Sequence, residues 1–247
     1  MSPHSFYTPH ARAEAAGIDL GLRAYMLSIY NHMGAALALT GLVALLASQT
    51  PAFLSLMYVM QNGAIAGMKP LAWVVALAPL GLALALGFAI QRMSLAAARA
   101  SFWGFAVVMG LSMTTIFLTY TGASIARVFF ITAATFGAMS LYGYTTRRDL
   151  SGFGSFLIMG VIGLVLASLV NLFLQSTALH FALSALGVLI FTGLTAYDTQ
   201  KLRLMYDQLT DEGETMAKAV ILGALTLYLD FINIFMSLMQ FLGERRQ

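Results

Sequence analysis

Two aspartates interrupt runs that are otherwise apolar: Asp198 in the stretch AYDTQ at 196–200, and Asp230 in LYLDFIN at 227–233. A carboxylate inside a transmembrane helix costs several kcal/mol unless it is neutralised, paired or facing water, with estimates starting near ~2.5 to 3.5 kcal/mol. Thr226, Asp230, Asn233 and Ser237 stand at i, i+4, i+7 and i+11, a polar stripe on a helix of Leu, Ile, Phe and Met. Such a stripe must face protein or a water-filled cavity.

Asp198 lies three residues before Lys201, and alone it could mark the end of a span. The turn that follows is expected at DEGET, 211–215, which places Gly213 fifteen residues after Asp198 and seventeen before Asp230. At ~1.5 Å per residue, two antiparallel helices bring the aspartates to nearly the same height. Two carboxylates within a few ångströms cannot both ionise cheaply, so they share a proton and titrate as a coupled pair. With the proton in place, the pair ties two helices together. Without it, the pair repels itself and offers a site to a cation. The structural alternative has Asp198 ending its helix and Asp230 bonding a neighbouring span.

The elements that must carry these groups follow from composition. Of the 247 residues, 60% are hydrophobic and 9% charged, against about 25% charged in an ordinary soluble domain. Apolar runs of ~20 residues, each able to cross a bilayer core as a helix, recur along the chain. The reading is an all-α membrane protein, because helices satisfy their own backbone in lipid. Seven spans are expected, from Ala24 to Ser48, Leu71 to Gln91, Ser101 to Tyr120, Ser124 to Tyr144, Gly152 to Leu174, Ala178 to Leu202 and Met216 to Leu242. Connections 49–70 and 203–215 leave no room for a soluble domain. The organisation is a polar cytoplasmic tail over 1–23, a seven-helix domain over 24–243 and a short tail over 244–247.

Basic residues set the orientation. Arg12, Arg23, Arg92, Arg99, Arg147, Arg148, Lys201, Arg203 and Lys218 fall on the side of the N-terminus, and Lys69, Arg127, Arg245 and Arg246 on the other. Nine against four puts the N-terminus in the cytoplasm and the C-terminus outside; a re-entrant last span would return the tail to the cytoplasm. The N-terminal segment lacks the apolar core of a secretory signal and carries Glu14 and Asp19.

The remaining signals are weaker. Cysteine is absent, which removes disulfides and thiolate chemistry, and a net charge of +3 is too small and scattered for nucleic acid. Asn31 and His32 in the first span need partners; His32 could titrate near neutrality, and a packing role is the alternative. His4, His10 and His180 show no metal-ligand spacing. Asp207, Asp211, Glu212 and Glu214 form an acidic patch that could attract cations or simply be solvated. Gly160, Gly163 and Ala167 are expected at a close helix contact, Pro79 is expected to bend the second span, and the 15 Met residues read as packing filler.

YDTQ at 197–200, YLDFIN at 228–233 and the block IFLTYTGASIARVFFITAATFGAMSLYGYTTRRDL at 116–150 resemble the Bax inhibitor 1 family, or transmembrane Bax inhibitor motif family, and in particular its bacterial members. The resemblance runs from Arg23 to Gly243. It implies six helices around a central seventh and a pH-sensitive calcium leak in the bacterial inner membrane, with Asp198 and Asp230 as the sensing pair. It also implies an arginine near the end of the second span that engages the pair in one state; Arg92 occupies the comparable region, where a snorkelling anchor is the alternative.

Calcium takes ~6 to 8 oxygen ligands. Two carboxylates with Asn233, Thr226 and water would hold it weakly and briefly, which suits passage. Thr226, Asn233, Ser237, Asn31 and His32 are the candidate polar lining. No cofactor and no enzyme activity are expected. An intramembrane aspartyl protease would need Gly-x-Gly before its second aspartate, where this chain has LYL, and a retinal protein would need a lysine deep in the last span, whereas Lys218 lies at its edge. The competing reading is a non-conducting regulator, since bacterial relatives are associated with modulation of a membrane-bound AAA protease.

Overall fold

In the computed structural model, residues 9–61, 64–209 and 213–246 are described. Helix α1 (Pro9–Ser48) leads into a short α2 (Pro51–Met57) and a hairpin of β1 (Tyr58–Gln61) with β2 (Ala64–Met68). Then follow α3 (Pro70–Ala89), a 3-10 turn over Ile90–Arg92, α4 (Leu95–Ser112), α5 (Thr114–Thr119), α6 (Gly122–Thr145), α7 (Ser151–Leu174), α8 (Thr177–Tyr206) and α9 (Glu214–Leu242).

Seven stretches are long and apolar enough to cross a membrane: Leu20–Ser48, Pro70–Arg92, Leu95–Thr119, Gly122–Thr145, Ser151–Leu174, Thr177–Tyr206 and Glu214–Leu242. Each coincides with an expected span to within a few residues at most ends. The first helix starts well before its span, at Pro9, so part of the expected polar tail is helical. The third span is α4 and α5 together, broken at Met113. Helix α3 runs through Pro79 without interruption.

The ends are set by local chemistry. Ser94, Thr121 and Ser176 accept from the backbone N–H three residues on and start α4, α6 and α8. Gln175 ends α7 in the left-handed region at φ 48°, and the Asn171 side chain accepts from the Ser176 N–H at 3.0 Å. This two-residue turn folds α8 back along α7.

Helix α9 is the centre of the bundle. In its most apolar stretch 67% of residues are buried, against 6% for α7, whose side chains mostly face lipid. It packs against α1, α3, α4, α6 and α8, while α7 joins the ring through α8. Ala219, Gly223 and Ala224 on α9 are buried, and a Cβ at Gly223 would press on Ile29 and Leu202, so small residues set the close approach of α1 and α8. The Phe105 and Tyr228 rings meet edge on, 5.3 Å apart, in the middle of the core.

The C-terminal tail is strapped to the α5–α6 connection. Thr121 N–H donates to Glu244 O (3.0 Å), Glu244 N–H to Ser124 Oγ (2.9 Å), and Arg127 pairs with Glu244 at 2.8 Å. A 29-residue α9 is long enough to cross completely. The tail lies at the end of the bundle opposite the α8–α9 turn.

The glycine stripe on α7 behaves differently from its expectation. Gly160 does approach α8, where a Cβ would meet Ile190, but around Gly163 there is nothing within 4 Å. Spacing alone does not tell which small residue faces a helix and which faces lipid. Closer approaches occur at Gly143, where a Cβ would run into the Ala196 backbone of α8, and at Gly110, where it would meet Thr40 O of α1 at 2.7 Å.

Candidate functional site: an aspartate pair between the last two helices

Each residue of YDTQ leaves α8 about 100° from the one before, so the four side chains reach four different neighbours. Tyr197 lies where Gly154 of α7 leaves room for its ring. Thr199 Oγ1 lies 3.1 Å from Ser140 Oγ of α6, which is 2.6 Å from the Tyr30 hydroxyl of α1. Gln200 spans the α6–α7 loop, donating to Arg148 O (2.7 Å) and accepting from Leu150 N–H (2.9 Å). Three anchors thereby fix the rotation of α8, and Asp198 is the member left to face α9.

Asp230 is oriented in the same manner. Tyr228 points to α1 and α4, its hydroxyl 2.7 Å from Thr40 Oγ1, and Phe231 stacks with Phe129 and Phe136 of α6. Between them Asp230 turns toward α8, 5% exposed, its Oδ2 sealed and without a hydrogen bond among the described residues. The Asp198 and Asp230 carboxyls lie close enough to act on each other, and the Lys201 ammonium is the other charge acting on Asp198. Lys201 Nζ leans over the Tyr197 ring, 6.0 Å from its centre. On the side of the α8–α9 turn, a cavity of about 70 Å³ is lined by Asp198, Lys201 and Thr226.

Comparison with known sequences decides the ancestry of this arrangement. The profile of the family described as "Inhibitor of apoptosis-promoting Bax1" matches residues 22–247. The chain belongs to the Bax inhibitor family. It is 46% identical to the inner membrane protein YbhL of Escherichia coli over 92% of this chain and 94% of that one. A protein of Caulobacter vibrioides is 48% identical over 97% of this chain and 95% of its own length, and protein RP147 of Rickettsia prowazekii 49% identical over 92% of both.

The other residues singled out for this Bax inhibitor chain are dispersed. Thr226 shares the Asp198 cavity but spends its hydroxyl proton on Leu222 O (3.0 Å). Asn233 and Ser237 line a different cavity further along α9, so Thr226 and Asn233 do not lie on one face of the pair. Asn31 is exposed on α1; His32 Nδ1 is 2.8 Å from Ser28 O, with its ring near Phe102 and Trp103. Neither joins the aspartates. Arg92 is exposed on the 3-10 turn after α3 and is not among the groups acting on either carboxyl. Asp211, Glu212 and His4 lie outside the described residues. Among those described, no three His, Cys, Asp or Glu side chains converge as metal ligands.

Sequence reasoning did not single out the anchors that aim the pair. Thr199 and Gln200 were legible as polar neighbours of Asp198, but their partners Ser140 and Arg148 are more than fifty residues away. Thr40, buried in α1, gave no signal beyond one hydroxyl in an apolar run.

Proposed function

We propose that this protein is a pH-sensitive cation leak of the bacterial inner membrane, with calcium as the transported ion and the Asp198–Asp230 pair as its gate. The observation that carries this reading is that two carboxyls from different helices, Asp230 buried and Asp198 half-buried, lie close enough to act on each other. With one proton between them they bind α8 to α9. When that proton leaves, two like charges face each other in a medium that screens them poorly, the helices are pushed apart, and a cation becomes the favoured neighbour.

The orientation follows the basic residues, with the N-terminus and the α8–α9 turn in the cytoplasm. Closure then sits between a cytoplasmic cavity at Asp198 and the outer half of the bundle. A gate balanced within a few kcal/mol needs little bias, since one unit of pKa is worth ~1.4 kcal/mol. Arg92 could engage the pair only after the end of α3 moves inward, with Pro79 as the point of bending.

The test is calcium efflux from liposomes holding the purified protein, measured as the external pH is raised. Efflux should grow with pH in the parent and lose its pH dependence in Asp198→Asn and Asp230→Asn. If neither substitution alters the profile, or no efflux occurs, conduction gives way to the regulatory reading, in which the protein modulates a membrane-bound AAA protease through its surfaces.

A further inference from the structure

A second polar cavity, of about 390 Å³, lies in the half of the bundle beyond the aspartates, in the gap between α7, α8 and α9. Its α9 wall is the outward continuation of the polar stripe: Asn233, Ser237 and, one turn further, Gln240. Facing it, α8 presents Ser184 and the smooth surface of Gly187; a Cβ there would stand 2.5 Å from Ser237 Oγ. Phe191 of α8 also lines it.

The hydrogen bonds show which atoms face the space. Asn233 Nδ2 donates to Leu229 O at 2.8 Å, which leaves its amide oxygen for the cavity. Ser184 Oγ lies 2.9 Å from Gln240 Oε1 and tethers the outer wall. The Ser237 side chain lines the same space, where no lipid tail could offer its hydroxyl a partner. A space of this size with several converging polar groups suits water.

Its depth relates it to the pair. Asn233 is three residues, roughly 5 Å of helix rise, beyond Asp230, and Phe191 is seven residues, roughly 10 Å, beyond Asp198. Asp230 itself lines neither this cavity nor the smaller one at Asp198. Along α9 it lies between Thr226, which lines the smaller cavity, and Asn233, which lines the larger.

We infer that the gap between α7, α8 and α9 is a water-filled vestibule through which a hydrated cation reaches Asp230 from the end of the bundle that carries the C-terminus, with the Asn233 and Ser237 oxygens as its first protein ligands. This rests on the leak reading for its physiological meaning, but it can be tested without any flux, and His180 is the one titratable side chain among the described residues that line it. Neutral oxygens let an ion shed part of its hydration without trapping it.

The chain has no cysteine, so single cysteines report cleanly. Ser237→Cys and Gln240→Cys would be exposed in membrane vesicles to a membrane-impermeant cationic methanethiosulfonate, applied to one face at a time, with Thr226→Cys as the opposite control. The face bearing the C-terminus is identified by protease access to a C-terminal tag. Ser237→Cys and Gln240→Cys should react from the C-terminal face, and Thr226→Cys should not. Reaction only from the other face overturns the inference. So does protection from the charged reagent with reaction toward lipid-soluble N-phenylmaleimide, which would mean a lipid-filled gap, and so does protection from both reagents in both variants with native-like elution in detergent. Should Ser237→Cys fail to fold, Ser168→Cys on the α7 wall takes its place. Labelling with no calcium efflux retires the leak and leaves the vestibule; efflux with no labelling does the reverse.

Discussion

Asp198 of α8 and Asp230 of α9 lie close enough for each carboxyl to act on the other, and the ammonium of Lys201, one turn along α8, is the further charge that acts on Asp198. A positive charge at this place favours loss of the shared proton by Coulomb attraction. On the proposed leak, the midpoint of pH-dependent calcium efflux in Lys201→Met should therefore move to higher pH, by up to about 1 unit, while Lys201→Arg should keep it. Equal midpoints in parent and Lys201→Met would show that the lysine does not act on the aspartate pair.

The path from sequence to this pair was short because both steps used local arithmetic. Apolar runs of span length located the seven helices, and counting from Gly213 placed the two aspartates at one height on adjacent antiparallel helices. Sideways relations were harder to read. Lipid and protein interior are equally apolar, so hydropathy does not reveal which face of a span meets another helix; Gly160 and Gly163 look alike in sequence, and only Gly160 packs against α8. The outer cavity was half visible, since Asn233 and Ser237 formed a stripe that Gln240 extends, but its Ser184 wall depends on how α8 is rotated by Thr199 and Gln200.

Gly143 tests the closeness of α6 to that rotated helix. A methyl group there would run into the carbonyl of Ala196, two residues before Asp198, and backbone cannot swing aside as a side chain can. Gly143→Ala should cost about 1–3 kcal/mol and displace the pair, lowering the unfolding temperature in detergent and changing the efflux profile. Gly137→Ala on the same helix meets nothing within 4 Å and should lose no stability, since Ala is the better helix former. Equal behaviour of the two variants would contradict the packing described here.

The buried hydroxyls of Thr40 and Tyr228 make an asymmetric prediction. Thr40 Oγ1 donates to Ala106 O at 2.9 Å, so its single proton is spent and the Tyr228 hydroxyl must donate to it across 2.7 Å. Tyr228→Phe removes a donor and leaves Thr40 bonded to Ala106, at a cost of about 0.5–1.5 kcal/mol. Thr40→Val strands the buried Tyr228 hydroxyl and should cost more, about 1–3 kcal/mol. Denaturation of both variants in the same detergent decides the order, and a larger loss in Tyr228→Phe would reverse the donor assignment.

Asp149, in the loop between α6 and α7, provides a pH dependence away from the membrane interior. Its carboxylate accepts from the Ser151 N–H at 2.9 Å, at the start of α7, where the helix dipole also favours negative charge. The hydrogen bonds from the Ser151 side chain and backbone hold its carboxyl below the usual aspartate range. A group whose folded value is depressed adds stability above its unfolded value and loses it as the pH falls through the folded one. Between about pH 5 and pH 2, the parent should lose slightly more stability than Asp149→Asn, with the difference small because the group is fully exposed to solvent. Thermal melts of both proteins over this window isolate the contribution, since every other carboxyl is common to the two; parallel curves would mean that Asp149 does not hold the start of α7.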